Sequence, residues 1–466
     1  MFFLERLKFI ALVVMLLIVD TVWGQQQYDF ELVNNGAVVA DTSTSRNDDT
    51  NFPSIIKVPD WVATADRPDP SAQYYMYYSN HSGSAIKMRW ASSIDGTWND
   101  YDFTGGTGPD PSRGVFDVGA TTNDPTRDTY DHISAPDVIV DDVNQRFIMY
   151  FHGDREASAP AQRVHERFVT TSGTGLNFND AASGNGEAGH GPVEVSSLTN
   201  AGLDRDVWIG DEYMRTFVKN GRTYGVGKRG IINAAPASGS LFAQPPGNPF
   251  EEAWERDVTP ESDWLTVTSG LQDDYHSPGT TFLASQEFAD HANNPHSRRI
   301  LSNSNDERLN HVDVNLLSDD LLEVYFWVRE SSRSAPDDYN GIYRIVYDIS
   351  DDDIQNWTVA RDASGEVFFD VILTPEDLSA SIEDALGTGY DPLLFADPVS
   401  LGDPEIFIDD DGSKYLFFSY VSAEFEGTQG EGAISSVRLV AVPEPSSFAL
   451  LVAGSLVVLR NRRRRI

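Results

Sequence analysis

The sequence predicts an all-β fold, and three observations support this. Short runs of β-branched and aromatic residues recur along the chain, each bounded by Gly, Pro, Asn or Asp. The 466 residues include 36 Gly, 24 Pro and 11% aromatics, which suits a protein of many strands and turns. Between Gln25 and Ala441 no helical pattern longer than two turns stands out, and the best candidate is the acidic segment from Pro375 to Ala385.

The predicted strands group into five hairpins. Each joins two apolar runs across a polar turn, and four are followed by a third run. The turn at Asn220-Gly221 is a strong two-residue signal, and Asp409 to Gly412 forms another turn. The predicted pairs are 52–58 with 74–78, 138–140 with 147–151, 212–218 with 223–227, 311–317 with 322–328, and 405–408 with 414–420, and the third strands are 86–92, 166–171, 342–347 and 433–439.

The repetition of the hairpin indicates how the sheets pack. A small sheet cannot bury both of its faces alone, and a series of such units is typical of blades arranged around an axis. We therefore predict a single five-bladed β-propeller with antiparallel blades. The hairpins lie further apart than the ~40–50 residues of compact propeller repeats, so long loops are expected, with 172–191 and 234–248 as the clearest insertions.

Charge and cysteine content exclude some classes of protein. The formal net charge is −38, from 34 basic and 72 acidic side chains. Such an excess argues against binding nucleic acid by neutralising its phosphates. The chain has no cysteine, so no disulfide framework exists and stability must come from packing. We predict no cofactor, and a structural or central calcium ion stays open as an alternative.

The N-terminal segment has the pattern of a secretory signal peptide. Arg6 and Lys8 precede an apolar run from Phe9 to Val19, and small Gly24 follows. The run is too short for a comfortable membrane span. We expect residues 1–24 to be removed on export.

The C-terminal segment, 442–466, contains three parts in order. They are VPEPSS at 442–447, an apolar stretch at 448–459, and an arginine cluster at 460–465. This order resembles the PEP-CTERM sorting signal, which an exosortase cleaves in Gram-negative bacteria. An ordinary stop-transfer helix with a positive-inside anchor is the alternative. The resemblance implies export, transient membrane anchoring, processing by an exosortase, and a domain at 25–441 on the cell surface or in the extracellular matrix.

In a propeller, the starts of the first strands and the ends of their partners meet around one axis. In the hairpin from His132 to Gly153, for example, Asp137 and His152 should be near neighbours because the strands run antiparallel. Polar residues that simply mark strand ends are the alternative explanation. The residues expected at this centre are Asn51, His81, His132, Asp137, His152, Glu212, Lys228, His311, Arg329 and Asp403.

Three stretches carry a resemblance to a known group of enzymes. They are 57–98 with its Asp-Gly-Thr-Trp turn, SAPDVIVDDVNQRFIMYFHG at 134–153, and GDPEIFIDDDGSKYLFFSY at 402–420. Together they resemble blades of the five-bladed glycoside hydrolases, the arabinanase, xylosidase and invertase-like clan that includes family 43. The resemblance covers about 51–439.

This resemblance implies three catalytic carboxylates. In the clan a general base opens the first blade, an aspartate that tunes the pKa of the acid opens the second, and a general acid opens the third. Asp137 matches the second by its motif, and Glu212 matches the third by position. If the reaction inverts the anomeric configuration, acid and base flank the bond with room for a water molecule between them.

The first position departs from the clan, because Asn51 stands where the base is expected and an amide cannot deprotonate water. Asp49 or Asp60 could take its place, Asp403 of the fifth blade could serve from the other side of the channel, or hydrolysis could be lost. We favour Asp403. The sequence thus predicts a secreted glycan-active enzyme, with a non-catalytic carbohydrate-binding propeller of the cell surface as the alternative.

The remaining polar residues of the centre are expected to bind substrate. Imidazoles can bind sugar hydroxyls, and no spacing typical of a zinc site is present. Asp409 to Gly412 lacks the further ligands of an EF-hand loop, so we interpret it as a turn. The predicted substrate-binding residues are Asn51, His81, His132, His152, Lys228, His311 and Arg329.

Overall fold

The structure is a computed structural model. It describes residues 27–33, 50–79, 85–101, 114–117, 133–156, 163–178, 193–194, 215–220, 222–226, 232–234, 307–330, 341–351, 357–359, 370–386, 398–422 and 433–442. Of the predicted site residues, His81, His132, Glu212 and Lys228 lie outside the described residues. The predicted signal peptide, and the predicted sorting signal beyond Val442, also lie outside them.

Strands dominate the described part of the chain, as predicted. One α-helix, α1 (Pro375–Leu386), coincides with the predicted acidic segment. The strands in chain order are β1 (Tyr28–Leu32), β2 (Asn51–Lys57), β3 (Tyr74–Ser79), β4 (Ala85–Ala91), β5 (Asn99–Asp100), β6 (Phe116–Asp117), β7 (Ile133–Asp141), β8 (Arg146–Glu156), β9 (Arg163–Ser172), β10 (Val193–Glu194), β11 (Arg215–Lys219), β12 (Arg222–Val226), β13 (Ile232–Ala234), β14 (Glu307–Ser318), β15 (Leu321–Glu330), β16 (Ile342–Asp348), β17 (Thr358–Val359), β18 (Asp370–Leu373), β19 (Pro398–Ile408), β20 (Lys414–Ser422) and β21 (Ala433–Ala441).

The described strands form antiparallel sheets whose orders are β2-β3-β4-β5 with β6 beside β4, β10-β9-β8-β7, β11-β12-β13, β14-β15-β16-β17 with β18 beside β16, and β1-β21-β20-β19. Four of these sheets have the four or more strands of a complete blade, and β11-β12-β13 has three. The prediction of an all-β propeller with antiparallel sheets is confirmed. The predicted count of five blades is not, since the described residues show four complete ones. The difference lies in the third sheet, where the described residues supply three strands, β11, β12 and β13.

The local predictions of hairpins agree with the structure. Each predicted pair of strands is an antiparallel pair, including β7 with β8 and β19 with β20. The predicted turn at 409–412 is also confirmed, since the Gly412 N–H donates to the Asp409 carbonyl at 2.9 Å. Gly412 has φ +84°, a conformation that glycine adopts without strain.

The core lies between neighbouring sheets. Every residue of β3 is buried, and successive side chains of a strand point to opposite faces. Tyr75 and Tyr77 pack with Phe147 of the second sheet, whereas Met76 and Tyr78 pack in a separate cluster with residues of β19, β20 and β21. The run of consecutive apolar residues in β3 thus reflects a sheet that is covered on both faces.

The first strands of the five hairpins are β2, β7, β11, β14 and β19, and they form a closed series of neighbours. We call them the first strands below. Contacts join β2 to β7, β7 to β11, β11 to β14, β14 to β19, and β19 back to β2. Five segments that are distant in the sequence therefore surround one centre. This arrangement brings residues at equivalent positions of the five strands together.

Four of these first strands carry a β-bulge at the same place. The register shifts between Asn51 and Ser54 in β2, between Ser134 and Asp137 in β7, between Asn310 and Val312 in β14, and between Gly402 and Glu405 in β19. At each bulge lies a non-glycine residue with positive φ, a conformation that costs of order 1–3 kcal/mol. These residues are Phe52 (58°), Ala135 (51°), His311 (40°) and Asp403 (47°).

The chain divides into two compact units, Leu32–Arg438 and the two terminal segments Met1–Glu31 with Leu439–Ile466. The sheet centre described above belongs to the first unit. In the terminal unit, the Val442 N–H donates to the Gln27 carbonyl at 2.9 Å. In the described part of the chain, no helix combines the length and the apolar character needed to cross a membrane.

Candidate functional site

Five side chains from the five first strands meet at the centre, and we call them the inner ring. They are Ser54, Asp137, Arg215, Asp313 and Glu405, and all five are buried. Four of them follow a bulge residue by two positions.

Side chains of the inner ring form hydrogen bonds that join neighbouring first strands. Its oxygen atoms accept hydrogen bonds from backbone N–H groups of the neighbouring sheet, always from the residue after that sheet's own member of the ring. Buried N–H groups need such partners, so these side chains are structural as well as central. The bonds run from Val138 to Ser54 (2.9 Å), from Thr216 to Asp137 (2.8 Å), from Ile406 to Asp313, and from Ile55 to Glu405 (2.9 Å).

Arg215 holds the equivalent position in β11 and binds differently, because its guanidinium can donate but cannot accept. It donates to the carbonyl oxygens of Pro136 and, at 2.8 Å, Pro53. Its Nε lies 3.5 Å from Glu405 Oε2 and 3.9 Å from Asp313 Oδ1. One buried cation therefore faces several buried carboxyl groups.

Burial raises the pKa of these acids. Burial raises the pKa of Asp313 to about 7, although Arg215 opposes the shift. Burial, together with the charge of Asp313, raises the pKa of Glu405 well above its ordinary value. Burial also raises the pKa of Asp137, against the opposing charge of Arg215. These shifts favour the protonated form of the buried carboxyl groups, and a raised pKa is also a property of general acids.

The four bulge residues Phe52, Ala135, His311 and Asp403 form a second group, which we call the outer ring. The edge of Phe52 meets the imidazole of His311 with ring centroids 4.8 Å apart. These residues come from β2 and β14, so side chains of sheets that are not sequential neighbours meet here. The indole of Trp327 lies on the imidazole as well, at 5.5 Å between centroids.

His311 and Asp403 are hydrogen-bonded to each other. The contact joins Nδ1 of the imidazole to Oδ1 of the carboxylate, and the hydroxyl of Ser419 donates to Oδ2. A carboxylate is an acceptor, so it favours the tautomer with hydrogen on Nδ1 and leaves the lone pair on Nε2. The pair therefore has the arrangement of an oriented base.

The structure places Asp137, His311 and Asp403 at the centre. His152 is buried in β8, but it lies opposite Ser134, whereas Asp137 lies opposite Tyr150. The bulge in β7 causes this offset, so His152 lies two positions along β8 from the residue that faces Asp137.

The positions of the other predicted residues are also informative. Asn51 is paired with Ser79 at the start of β2. Arg329 lies in β15 opposite Arg308 of β14. Asp60, an alternative base, is exposed beyond the far end of β2.

Sequence reasoning missed Arg215, Asp313 and Glu405, and it did not place Phe52. Aligning the first strands would have found three of them. The segments 51–54, 134–137, 310–313 and 402–405 read NFPS, SAPD, NHVD and GDPE, so the bulge residue is followed two positions later by the polar residue of the inner ring. In this alignment, the counterpart of Asp403 in the first sheet is Phe52 rather than Asn51. Arg215 has no such signal because it departs from the pattern.

Metal binding was the open alternative for the centre. Within the ranges that the structure describes, no three His, Asp or Glu side chains form a group that could hold a metal ion. We assign no metal ligand among them.

Comparison with known proteins gives weak relationships. No family model matches the chain. The uncharacterized protein R118 of Acanthamoeba polyphaga mimivirus is 26% identical over 180 residues, which are 37% of this chain. The chain spans 40% of the length of that curated relative.

Several solved structures resemble the chain in fold. An endo-arabinase from Bacteroides thetaiotaomicron has 12% identity and a TM-score of 0.41, over 88% of this chain and 98% of its own. An endo-1,4-β-xylanase from the same organism has 10% identity and a TM-score of 0.38, over 88% and 97%. An exo-β-1,3-galactanase from Phanerochaete chrysosporium has 11% identity and a TM-score of 0.38, over 91% and 66%. At these scores we draw no argument about function from them.

Proposed function

We propose that the protein is a glycan-active enzyme, a glycoside hydrolase that works by acid and base catalysis. One observation carries this proposal: the propeller centre combines buried carboxyl groups of raised pKa with a hydrogen-bonded His311–Asp403 pair. Cleavage of a glycosidic bond needs a proton donor for the leaving oxygen and a base or nucleophile for the sugar carbon. Carboxyl groups of raised pKa are suited to the first role, and the His311–Asp403 pair is suited to the second.

The catalytic roles follow the resemblance stated above. We propose Glu212 as the general acid, Asp137 as the carboxylate that tunes it, and the His311–Asp403 pair as the source of the base. The buried, pKa-raised state of Asp137 supports its role. The residues proposed to contact the sugar are Asn51, His81, His132, His152, Lys228, His311 and Arg329.

Hydrolysis tests this directly. The full chain, and its Asp137→Asn and Glu212→Gln variants, are incubated with a panel of aryl glycosides and polysaccharides, and released sugar is measured. We expect turnover of at least one substrate and a loss of about 10²-fold or more in each variant. Asp320→Asn, in the exposed turn after β14, is the matched control and should retain full rate. Unchanged rates in both variants would remove these assignments.

A non-catalytic carbohydrate-binding propeller is the second candidate. The observation that favours it is Phe52, because the first sheet contributes an apolar ring to the outer ring instead of a carboxylate. An aromatic ring can stack on a sugar but cannot move a proton. Binding of a glycan by equilibrium titration, with no turnover between about pH 5 and 9, would decide for this function.

We also propose that the chain is exported and acts at the cell surface or in the extracellular matrix. Support comes from the sequence of 1–24 and from the PEP-CTERM-like segment 442–466, which would be a substrate for an exosortase after transient membrane anchoring. Mass spectrometry of the protein from its producing cells should show new ends near Gly24 and near the Pro-Glu-Pro motif. Ends at residues 1 and 466 would contradict this.

A further inference from the structure

We propose that His311 is the general base of the reaction, and that Asp403 and Ser419 are positioning residues that orient it. This inference rests on the proposed hydrolase function and changes the assignment within it. On sequence grounds, Asp403 was the favoured base and His311 a substrate-binding residue.

The hydrogen bonds of Asp403 are the reason for assigning the base to His311 and a positioning role to Asp403. One carboxylate oxygen contacts Nδ1 of His311, the other accepts from the hydroxyl of Ser419, and the residue is 5% exposed. A carboxylate engaged at both oxygens is poorly placed to take a proton from water. The same engagement fixes the imidazole and stabilises the imidazolium that forms when Nε2 accepts a proton.

The surroundings of His311 hold the ring in one orientation. Phe52 contacts the imidazole edge-on, with ring centroids 4.8 Å apart. Trp327 contacts it with centroids 5.5 Å apart. Gly402, next to Asp403, lies against both Ser419 and Trp327: a Cβ there would lie 3.3 Å from the Ser419 hydroxyl and 3.4 Å from the indole. Aromatic rings from β2 and β15 thus flank the imidazole.

Two further observations suggest that the region serves a ligand. His311 and Asp403 both adopt left-handed backbone conformations, at φ 40° and 47°, and such strain is concentrated at functional sites. The indole N–H of Trp327 is buried and has no hydrogen-bond partner among the described residues. A sugar hydroxyl is a suitable acceptor for it, because a buried donor without a partner is otherwise costly.

The step is a single displacement by water. Nε2 of His311 takes one proton from water as the water oxygen forms a bond to the anomeric carbon. The bond from that carbon to the glycosidic oxygen breaks, and its electron pair stays on the oxygen, which takes a proton from the general acid proposed above. One water is consumed, two sugar fragments leave, and the imidazolium returns its proton to solvent as the acid is reprotonated.

The test compares variants of the full chain on the substrate that the wild type hydrolyses. His311→Asn keeps a donor toward Asp403 but has no basic nitrogen, and His311→Ala leaves room for added imidazole. We expect kcat to fall about 10²- to 10⁴-fold in both, with KM nearly unchanged, and imidazole to restore part of the rate of His311→Ala alone.

The positioning residues should show graded effects. Asp403→Asn should lower kcat by at least about 10-fold, and Ser419→Ala by about 5-fold, because each loosens the imidazole without removing it. Ser435→Ala is the matched control for Ser419: this buried hydroxyl in β21, two strands from β19, has no partner among the described residues. It should leave kcat unchanged.

The outcomes separate this inference from the proposed function. An active wild type with His311→Asn within about threefold of it would overturn the base assignment and leave the hydrolase function standing. A fall in kcat that imidazole does not restore, with KM raised in parallel, would also overturn it, since that result indicates substrate binding. A wild type that binds glycan but hydrolyses no substrate overturns both.

Discussion

Replacing Arg215 by Met tests how the propeller centre is held together. The variant removes the cation that faces Glu405 and Asp313 and that donates to two backbone carbonyls, while keeping an apolar chain of similar length. Removing one partner of a buried ion pair costs about 3–5 kcal/mol, because the remaining charge is left uncompensated. With an m-value of about 3 kcal/mol/M, the urea midpoint should fall by about 1–1.7 M.

The free energy of unfolding that Arg215→Met loses should also depend on pH. The pKa of Asp313 is raised to about 7 even with Arg215 present, and removing the cation raises it further. The native variant then binds more protons than the native wild type, so its stability falls more steeply as the pH rises. Urea unfolding followed by tryptophan fluorescence should therefore show a larger deficit at pH 8 than at pH 5.

Repeating Arg215→Met in a variant without the buried acids separates the effect of charge from that of packing. In a chain that carries Asp313→Asn and Glu405→Gln, the amide oxygens can still accept the backbone N–H groups, but the buried negative charges are gone. Arg215→Met should cost clearly less there. An equal loss in both backgrounds, or a deficit independent of pH, would mean that Arg215 acts through packing alone.

Three further changes test separate features. Between pH 5 and 8 in urea titrations, the Asp313→Asn variant should lose less stability than the wild type. The native pKa of Asp313 is about 7, above the ordinary 3.8, so the wild type loses stability as the pH rises from 3.8 to about 7. Gly175→Ala should cost about 2–5 kcal/mol in the same assay, since φ is +78° and the added methyl would meet a tyrosine hydroxyl at 2.5 Å. Gly412→Ala is its control and should cost only about 1–2 kcal/mol, because φ is +84° but nothing lies within 4 Å; equal costs would refute the clash. Tyr74→Phe should lower stability by about 1 kcal/mol in thermal unfolding by losing the 2.8 Å bond to Asp409, and an unchanged Tm would show that bond to be unimportant.

The hairpins could be predicted because their causes are local. Runs of β-branched and aromatic residues, and turn residues such as those at 409–412, act within a few positions of one another. The strand pairs of β2 with β3 and β14 with β15 follow from such signals. The number of complete blades could not be read in this way, since it depends on how many strands each sheet recruits from distant loops.

The candidate site was predictable only in outline. Asp137, His311 and Asp403 were expected at the centre from their places at strand starts. Their roles depend on bulges that shift four of the five first strands by one residue and so change which side chains meet. The sequence analysis placed Asn51 at the expected base position, whereas the bulges make Phe52 the counterpart of Asp403.

The sequence by itself determined the strand content, the hairpins and the residue types available for chemistry, because each of these depends on near neighbours along the chain. The tertiary structure decided that Arg215 faces the acids and that Asp403 binds His311. Those contacts join segments that are 92 or more residues apart, so they exist only once all the sheets surround one centre. Burial there then sets the pKa of the acids, which no local pattern in the sequence could determine.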